Sequence, residues 1–177
     1  EVVYGIPCIW KKDADCTPGR LVESAVDHHK ENTMKNYEKT GKDPERNNVH
    51  LIIGGAFQGK LQYAETLYSK ICWYDGAECQ PEQLEKELTK IDGIVHFELL
   101  VRRWMEDGRE TEELTGLLMN RRKGLVVLIS DEIGYGLVPV DAFERKYREA
   151  HGRLMTDLAA QAQRVDRVVC GIGTRLR

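Results

Sequence analysis

The chain has 177 residues, and its 26 Lys and Arg against 29 Asp and Glu give a formal net charge of −3. Without a basic excess, bulk attraction to nucleic acid is not expected, and no apolar run approaches the roughly 20 residues that a membrane-spanning helix needs. The cysteines form no CxxC pair, which argues against a disulfide framework or a zinc ribbon. The first ten residues lack the pattern of a signal peptide, so we expect a cytoplasmic protein.

Residues 1–48 are predicted to form an N-terminal arm and linker. An amphipathic helix is expected over about 20–38, and the stretch 39–48, KTGKDPERNN, has the composition of a linker. The arm is too short to bury a core of its own, and one interpretation is that it is the tail of a preceding domain. We place the domain boundary after residue 48, so that the second domain covers 49–177.

From residue 49 onward, short β-branched runs alternate with longer amphipathic stretches. This alternation predicts an α/β fold with a mostly parallel sheet and helices on both faces. The expected strands cover 49–53, 70–73, 93–97, 125–130 and 167–170. The expected helices cover 60–69, 81–89, 98–106, 111–121 and 141–165, the last carrying an apolar stripe at three- and four-residue spacing.

A glycine-rich segment follows the first of these strands and precedes a helix. It has the GxxxxGK spacing of a phosphate-binding loop, whose backbone amides turn around an anion while the lysine reaches the terminal phosphates. The next residue is Leu61, where a Ser or Thr usually contacts Mg²⁺. The alternative is a strand-to-helix turn without a ligand. The candidate nucleotide-binding residues are Gly54, Gly55, Ala56, Phe57, Gln58, Gly59, Lys60 and Leu61.

Two acidic residues directly follow the predicted strand 125–130. Ligands of open α/β sheets bind at the carboxyl edge, where Asp131 and Glu132 could hold Mg²⁺ or accept a proton. Because neighbouring side chains on a strand point to opposite faces, we expect only one of them at the site, and we favour Glu132. The alternative is that both acids cap a turn. We expect no metal site built from protein ligands alone.

Three histidines are candidates for a catalytic role. His96 ends the predicted strand 93–97, where a histidine among apolar residues is more often a packed edge residue. His28 and His29 lie on the predicted N-terminal helix, where surface histidines are ordinary. Either of them would need the arm to fold back over the second domain.

Three stretches carry a family resemblance: IIGGAFQGKLQYAE, SDEIGYGLVPVDAFERKYREAHGR and LAAQAQRVDRVVCGIGTRL. They resemble the adenosylcobinamide kinase / adenosylcobinamide-phosphate guanylyltransferase family. The resemblance implies a RecA-like P-loop fold, a homotrimer and a role in cobalamin biosynthesis. It also implies that ATP or GTP with Mg²⁺ phosphorylates the corrinoid adenosylcobinamide, and that GMP then passes from GTP through a guanylylated histidine.

Residue by residue, the resemblance implies roles for the candidates already named. It makes Lys60 and Glu132 the catalytic residues, and it makes Asp131, Glu132, Gly134 and Arg153 metal or substrate contacts. The guanylylated histidine would be one of His96, His29 and His28. The rival interpretation is a non-catalytic nucleotide-binding or regulatory relative that has lost the guanylyltransferase step, which Leu61 favours.

Overall fold

A six-stranded sheet forms the centre of the part of the chain that the structure describes. The computed structural model describes residues 47–68, 70–121 and 124–177. The strand order is β2-β3-β4-β1-β5-β6; the first five strands are parallel and β6 pairs with β5 in antiparallel fashion. The strands are β1 (Asn47–Gly54), β2 (Trp73–Asp75), β3 (Gly93–Val95), β4 (Val126–Asp131), β5 (Ala162–Val169) and β6 (Ile172–Arg175).

Helices cover both faces of this sheet. They are α1 (Lys60–Leu67), α2 (Pro81–Glu87), α3 (Phe97–Glu106), α4 (Thr111–Met119) and α5 (Ala142–Gln161). Alternate residues of the strands enter two apolar clusters. One contains Leu51 and Leu128 with the inner faces of α2 to α5, and the other contains Ile52 and Ile129 with Ala64 of α1. The described part of the chain has no helix long and apolar enough to cross a membrane.

The sheet is mostly parallel, and a glycine-rich loop joins β1 to α1. This arrangement is a P-loop NTPase-like α/β fold. This confirms the predicted fold class. The continuous apolar character of β3 and β4 follows from burial on both faces. Residues 1–46 of the predicted arm and linker, with the helix expected there, lie outside the described residues, whereas Asn47 and Asn48 begin β1. The domain boundary after residue 48 stays a prediction.

Several element bounds differ from the sequence-based prediction. The last helix ends at Gln161, and residues 162–165, predicted as helix, begin β5. Ala162 and Val165 are both buried and lie three residues apart, so in the sequence they continue the spacing of the helix. Strand β2 covers 73–75 and α1 ends at Leu67. The short β6 was not predicted, because its residues are mostly exposed and lack an apolar pattern.

A buried polar network joins α1 to β1 and β5. Asp166 is fully buried and accepts hydrogen bonds from His50 Nε2 at 3.1 Å and Tyr63 Oη at 2.8 Å. Arg164 donates to both oxygens of the same carboxylate, at 2.9 and 2.7 Å. Gly173 makes room for the Tyr63 ring, because a Cβ there would lie 2.1 Å from the ring. Burial raises the pKa of Asp166, but these donors outweigh it and hold the pKa far below its ordinary value.

His151 predicts a pH dependence of stability. It is buried on α5, in hydrogen-bond contact with Ser130 of β4 at 3.0 Å, and burial lowers its pKa from 6.5 to about 4. Between these values the unfolded chain binds the extra proton, so His151's contribution is complete above pH 6.5 and is lost as the pH falls toward 4. We expect a loss of about 3 kcal/mol over this window.

An NMR titration of the His151 imidazole tests this expectation, together with urea unfolding across the same window. The acid-induced loss should be smaller in His151→Gln, which keeps a hydrogen-bonding side chain next to Ser130. A midpoint near 6.5, or an equal loss of stability in both proteins, would contradict it.

Candidate functional site

The glycine-rich loop between β1 and α1 is shaped by its neighbours. Gly54 lies in register with Asp131 of β4, and a Cβ on Gly54 would lie 2.4 Å from the carbonyl oxygen of Val168. Only glycine therefore fits at this close approach of β1 and β5. Gly59, just before α1, has a positive φ of 79°, and Phe57 at the tip has a φ of 59° with its side chain fully exposed.

Two hydrogen bonds from the turn of the β5–β6 hairpin hold this loop on one side. The Cys170 amide donates to Gln58 Oε1 at 2.7 Å, and the Gly171 amide donates to the Gln58 carbonyl oxygen at 2.9 Å. Both residues between the strands have positive φ, as tight two-residue hairpins require.

Lys60 is the first residue of α1 and is buried beneath the loop. Its Nζ donates to the Gly55 carbonyl oxygen at 2.8 Å and to Asp131 Oδ1 at 2.5 Å. The ammonium therefore lies between the loop and the end of β4. Leu61, by contrast, packs against the apolar cluster of Ile52 and Ala64, so its side chain contributes to the core.

Asp131, and not the favoured Glu132, contacts Lys60. Asp131 is the last residue of β4 and lies opposite Gly54, so its carboxylate reaches the lysine. Glu132 lies just past the strand, where its amide donates to the Gly54 carbonyl oxygen and its carboxylate pairs with Arg167 of β5 at 3.0 Å. The sequence predicts that only one of the two acids faces the site, with Glu132 favoured; Asp131 is the one that contacts Lys60 here, and the role of Glu132 stays a prediction.

Two other candidates lie away from the loop contacts. Gly134 belongs to an exposed segment after β4, and a Cβ there would meet no atom within 4 Å. Arg153 is exposed on α5 and pairs with Glu149, one helical turn earlier, at 2.5 Å. Neither contacts the loop in the structure. His28 and His29 lie outside the described residues.

A second polar group lies at the same edge of the sheet, at the ends of β2 and β3. His96 follows β3 in a left-handed conformation, with a φ of 50°, and begins α3. Its Nδ1 donates to Asp75 Oδ1, at the end of β2, at 2.8 Å. Glu98, one residue into α3, is buried and accepts the amide of Asp131 at 2.9 Å. Neither acid was among the predicted candidates, although Asp75 closes a strand as Asp131 does.

The protonation of this second group follows from its contacts. The hydrogen bond to Asp75 raises the pKa of His96 above its ordinary value, with smaller contributions from Glu98 and Asp131. Burial pushes the pKa of Asp75 up, but hydrogen bonds from His96 and the Ala77 amide hold it below its ordinary value. Burial raises the pKa of Glu98. This edge of the sheet therefore combines the Lys60 ammonium and the His96 imidazole with carboxylates whose pKa values are shifted in opposite directions, down for Asp75 and up for Glu98.

The described residues contain no cluster of three or more His, Cys, Asp or Glu side chains arranged to hold a metal ion. Cys170, between β5 and β6, is an exposed free thiol. The charged groups nearest the loop are Lys60 with Asp131 and Arg167 with Glu132. This arrangement suits an anionic ligand that brings its own cation, because Mg²⁺ in such sites keeps several waters and takes one or two carboxylates besides phosphate oxygens.

Comparison with known proteins gives a consistent assignment. The family model described as cobinamide kinase / cobinamide phosphate guanyltransferase matches residues 80–176, more than half of the chain. The bifunctional adenosylcobalamin biosynthesis proteins CobU of Escherichia coli and of Salmonella typhimurium are each 42% identical to it over 52 residues. Each of these alignments covers 29% of this chain and 29% of the relative. The matched range begins after β1 and its loop, whose geometry is described above. The chain belongs to the cobinamide kinase / cobinamide phosphate guanyltransferase family.

Proposed function

We propose that this protein phosphorylates a hydroxyl group of adenosylcobinamide, with ATP or GTP as the phosphoryl donor, in cobalamin biosynthesis. The observation that carries the proposal is Lys60, held beneath a glycine-rich loop between a buried strand and a helix. The family match supplies the substrate class. Phosphoryl transfer needs mainly positioning and neutralisation of charge, which a loop, a lysine and a few polar groups can provide.

The Lys60–Asp131 ion pair is the contact that a bound nucleotide would replace. The loop amides and the N-terminus of α1 attract the phosphates. Lys60 would then exchange the Asp131 carboxylate for phosphate oxygens. The exchange frees an acidic side chain next to the terminal phosphate, where it can contact Mg²⁺ or water.

Magnesium fits this site as an ion carried by the nucleotide. Leu61 packs into the core and offers no hydroxyl, so Asp131 is the protein group that would hold the ion, with Glu132 as the second carboxylate at this edge. Bound Mg²⁺ supplies neutralisation of the phosphate charge. The chain's own residues bind and orient the phosphates through the loop amides and Lys60.

The test is incubation of the purified protein with γ-labelled ATP or GTP, Mg²⁺ and adenosylcobinamide. We expect label in a phosphorylated corrinoid, and the two nucleotides run in parallel give the preference. Tight nucleotide binding without transfer would instead support the non-catalytic relative. Turnover that is unchanged by the corrinoid would indicate that another alcohol is the acceptor.

The second reaction of the family, transfer of GMP from GTP to the phosphorylated corrinoid, is part of the proposal as a following step. Its covalent acceptor was predicted among His28, His29 and His96. Labelling with α-labelled GTP, followed by denaturation and peptide mapping, identifies the acceptor. Absence of any stable label, with kinase activity present, would indicate a kinase that lacks the second step.

The cellular setting also belongs to the proposal. A cytoplasmic location and a homotrimer are predictions from the sequence and from the family resemblance. Analytical ultracentrifugation of the purified chain at several concentrations tests the trimer. A monomer at all concentrations would contradict it.

A further inference from the structure

The chemistry of hydroxyl phosphorylation leaves one requirement that Lys60 and the loop do not meet. The acceptor hydroxyl must lose its proton as its oxygen bonds to phosphorus. An ammonium donates protons and the loop amides do not accept them, so a side-chain proton acceptor next to the terminal phosphate would accelerate this step.

Lys60 indicates where that acceptor must lie. Its Nζ reaches the end of β4 at Asp131, and the lysine of such loops contacts the terminal phosphates. The next strand of the sheet is β3, and neighbouring strands lie about 4.8 Å apart. The residue that follows β3 at this edge is His96. His96 therefore follows the strand next to Asp131, and a hydroxyl held between these two residues would lie close to both side chains.

The acidic side chains at this edge have other roles or partners. Asp131 pairs with Lys60 in the free protein and, once Lys60 contacts the phosphates, is the group that would hold Mg²⁺, while Glu132 is paired with Arg167. Glu98 is 4% exposed and accepts the amide of Asp131, so it is enclosed behind the strand end. The His96 side chain, in contrast, is 42% exposed. Among the described residues its one hydrogen bond is the Nδ1 contact with Asp75, which leaves Nε2 open.

The backbone holds His96 in this place at some cost. Its φ of 50° is a conformation that non-glycine residues rarely adopt and that often marks functional sites. Gly76, the residue after β2, packs against the His96 main chain, because a Cβ on Gly76 would lie 2.4 Å from the His96 carbonyl oxygen. The ring, its carboxylate partner and its main chain are thus fixed by β2, β3 and α3 together.

We propose that His96 is the catalytic base for phosphorylation of the hydroxyl acceptor and that Asp75 is its positioning residue. This inference rests on the proposed function. The hydroxyl proton moves to Nε2 while the acceptor oxygen bonds to the terminal phosphorus. The bond from that phosphorus to the bridging oxygen breaks, and the nucleoside diphosphate leaves with the electron pair. The imidazolium is stabilised by Asp75 and returns its proton to solvent.

A pH profile distinguishes this role from a structural one. The groups facing His96 are Asp75 from β2, Asp131 from β4 and Glu98 from its own helix, and all three favour the imidazolium. Arg103 of α3 acts on Asp75. Because the base must be neutral, kcat should fall as the pH decreases through the raised pKa of His96. In Asp75→Asn that fall should move to lower pH, and kcat on the plateau should decrease at least about tenfold.

The substitution for the base is His96→Asn, because asparagine tolerates the left-handed backbone. We expect kcat to fall about 100-fold or more, with little change in the nucleotide KM, loss of the acidic limb and partial rescue by added imidazole. Asp107→Asn, at the exposed far end of α3, is the matched control and should keep the wild-type profile.

The variant kinetics and the labelling experiments separate failure of the proposed base from failure of the proposed function. A His96→Asn protein with the wild-type rate and pH profile overturns the base but leaves the kinase proposal standing. GMP found covalently on His96 after incubation with α-labelled GTP also overturns it, in favour of a nucleophile. If the wild-type protein makes no phosphorylated corrinoid, the proposed function fails and the base fails with it.

Discussion

Lys60→Met should reduce the rate of corrinoid phosphorylation by about 100- to 1,000-fold, the range found when one preorganised donor to a transition-state charge is removed. Methionine keeps the buried stem of the side chain but loses the ammonium, which contacts Gly55 and Asp131 in the free protein. The rate is measured with γ-labelled nucleotide and adenosylcobinamide at saturating concentrations, beside nucleotide affinity from equilibrium dialysis.

Lys146→Met is the matched control for this change, because Lys146 is exposed on α5. The control should retain the wild-type rate and affinity. Thermal unfolding of both variants shows whether the fold is intact. A folded Lys60→Met protein with an unchanged rate would contradict the assignment of this lysine to the phosphates.

Asp166→Ala should destabilise the protein by about 3–5 kcal/mol, because removing one partner of a buried ion pair leaves the other without compensation. The alanine would leave Arg164 and His50 facing each other without their shared acceptor, and Tyr63 would lose its anchor to β5. Since α1 carries both Tyr63 and Lys60, we also expect weaker nucleotide binding. Urea unfolding at neutral pH measures the first effect.

Asp157→Ala, at an exposed position of α5, provides the comparison and should change the free energy of unfolding by less than about 0.5 kcal/mol. The network also contributes to acid sensitivity. Because the folded pKa of Asp166 is depressed, its stabilisation is present above its ordinary pKa and is lost as the pH falls below it. A loss under about 1 kcal/mol in Asp166→Ala would show that the network contributes little.

The loop, the strand before it and the helix after it could be predicted because their signals are local. The apolar run before Gly54, the glycines and the helix after Lys60 each indicate the same element. The end of the last helix could not be predicted, because Ala162 and Val165 continue the helical spacing although they lie in a strand. The pairing of β5 with β1, which places Asp166 opposite Ile52, is what makes this segment a strand. Such pairing depends on distant residues.

The choice between adjacent polar residues also depended on tertiary structure. Strand alternation says that Asp131 and Glu132 diverge, but only the register with Gly54 decides which one meets the lysine. Likewise His96 was visible in the sequence, whereas Asp75 is its partner only because β2 and β3 are neighbours. Short strands of three residues carry little signal, so this pair was missed.

The central claim is that the amides of the loop 54–60 grip the phosphates of a nucleotide. Hydrogen exchange, followed by mass spectrometry with and without a slowly hydrolysed ATP or GTP analogue and Mg²⁺, measures those amides directly. We predict slower exchange in peptides that cover 54–61, and a smaller effect in Lys60→Met. Unchanged exchange in these peptides, with turnover of the corrinoid under the same conditions, would contradict the claim.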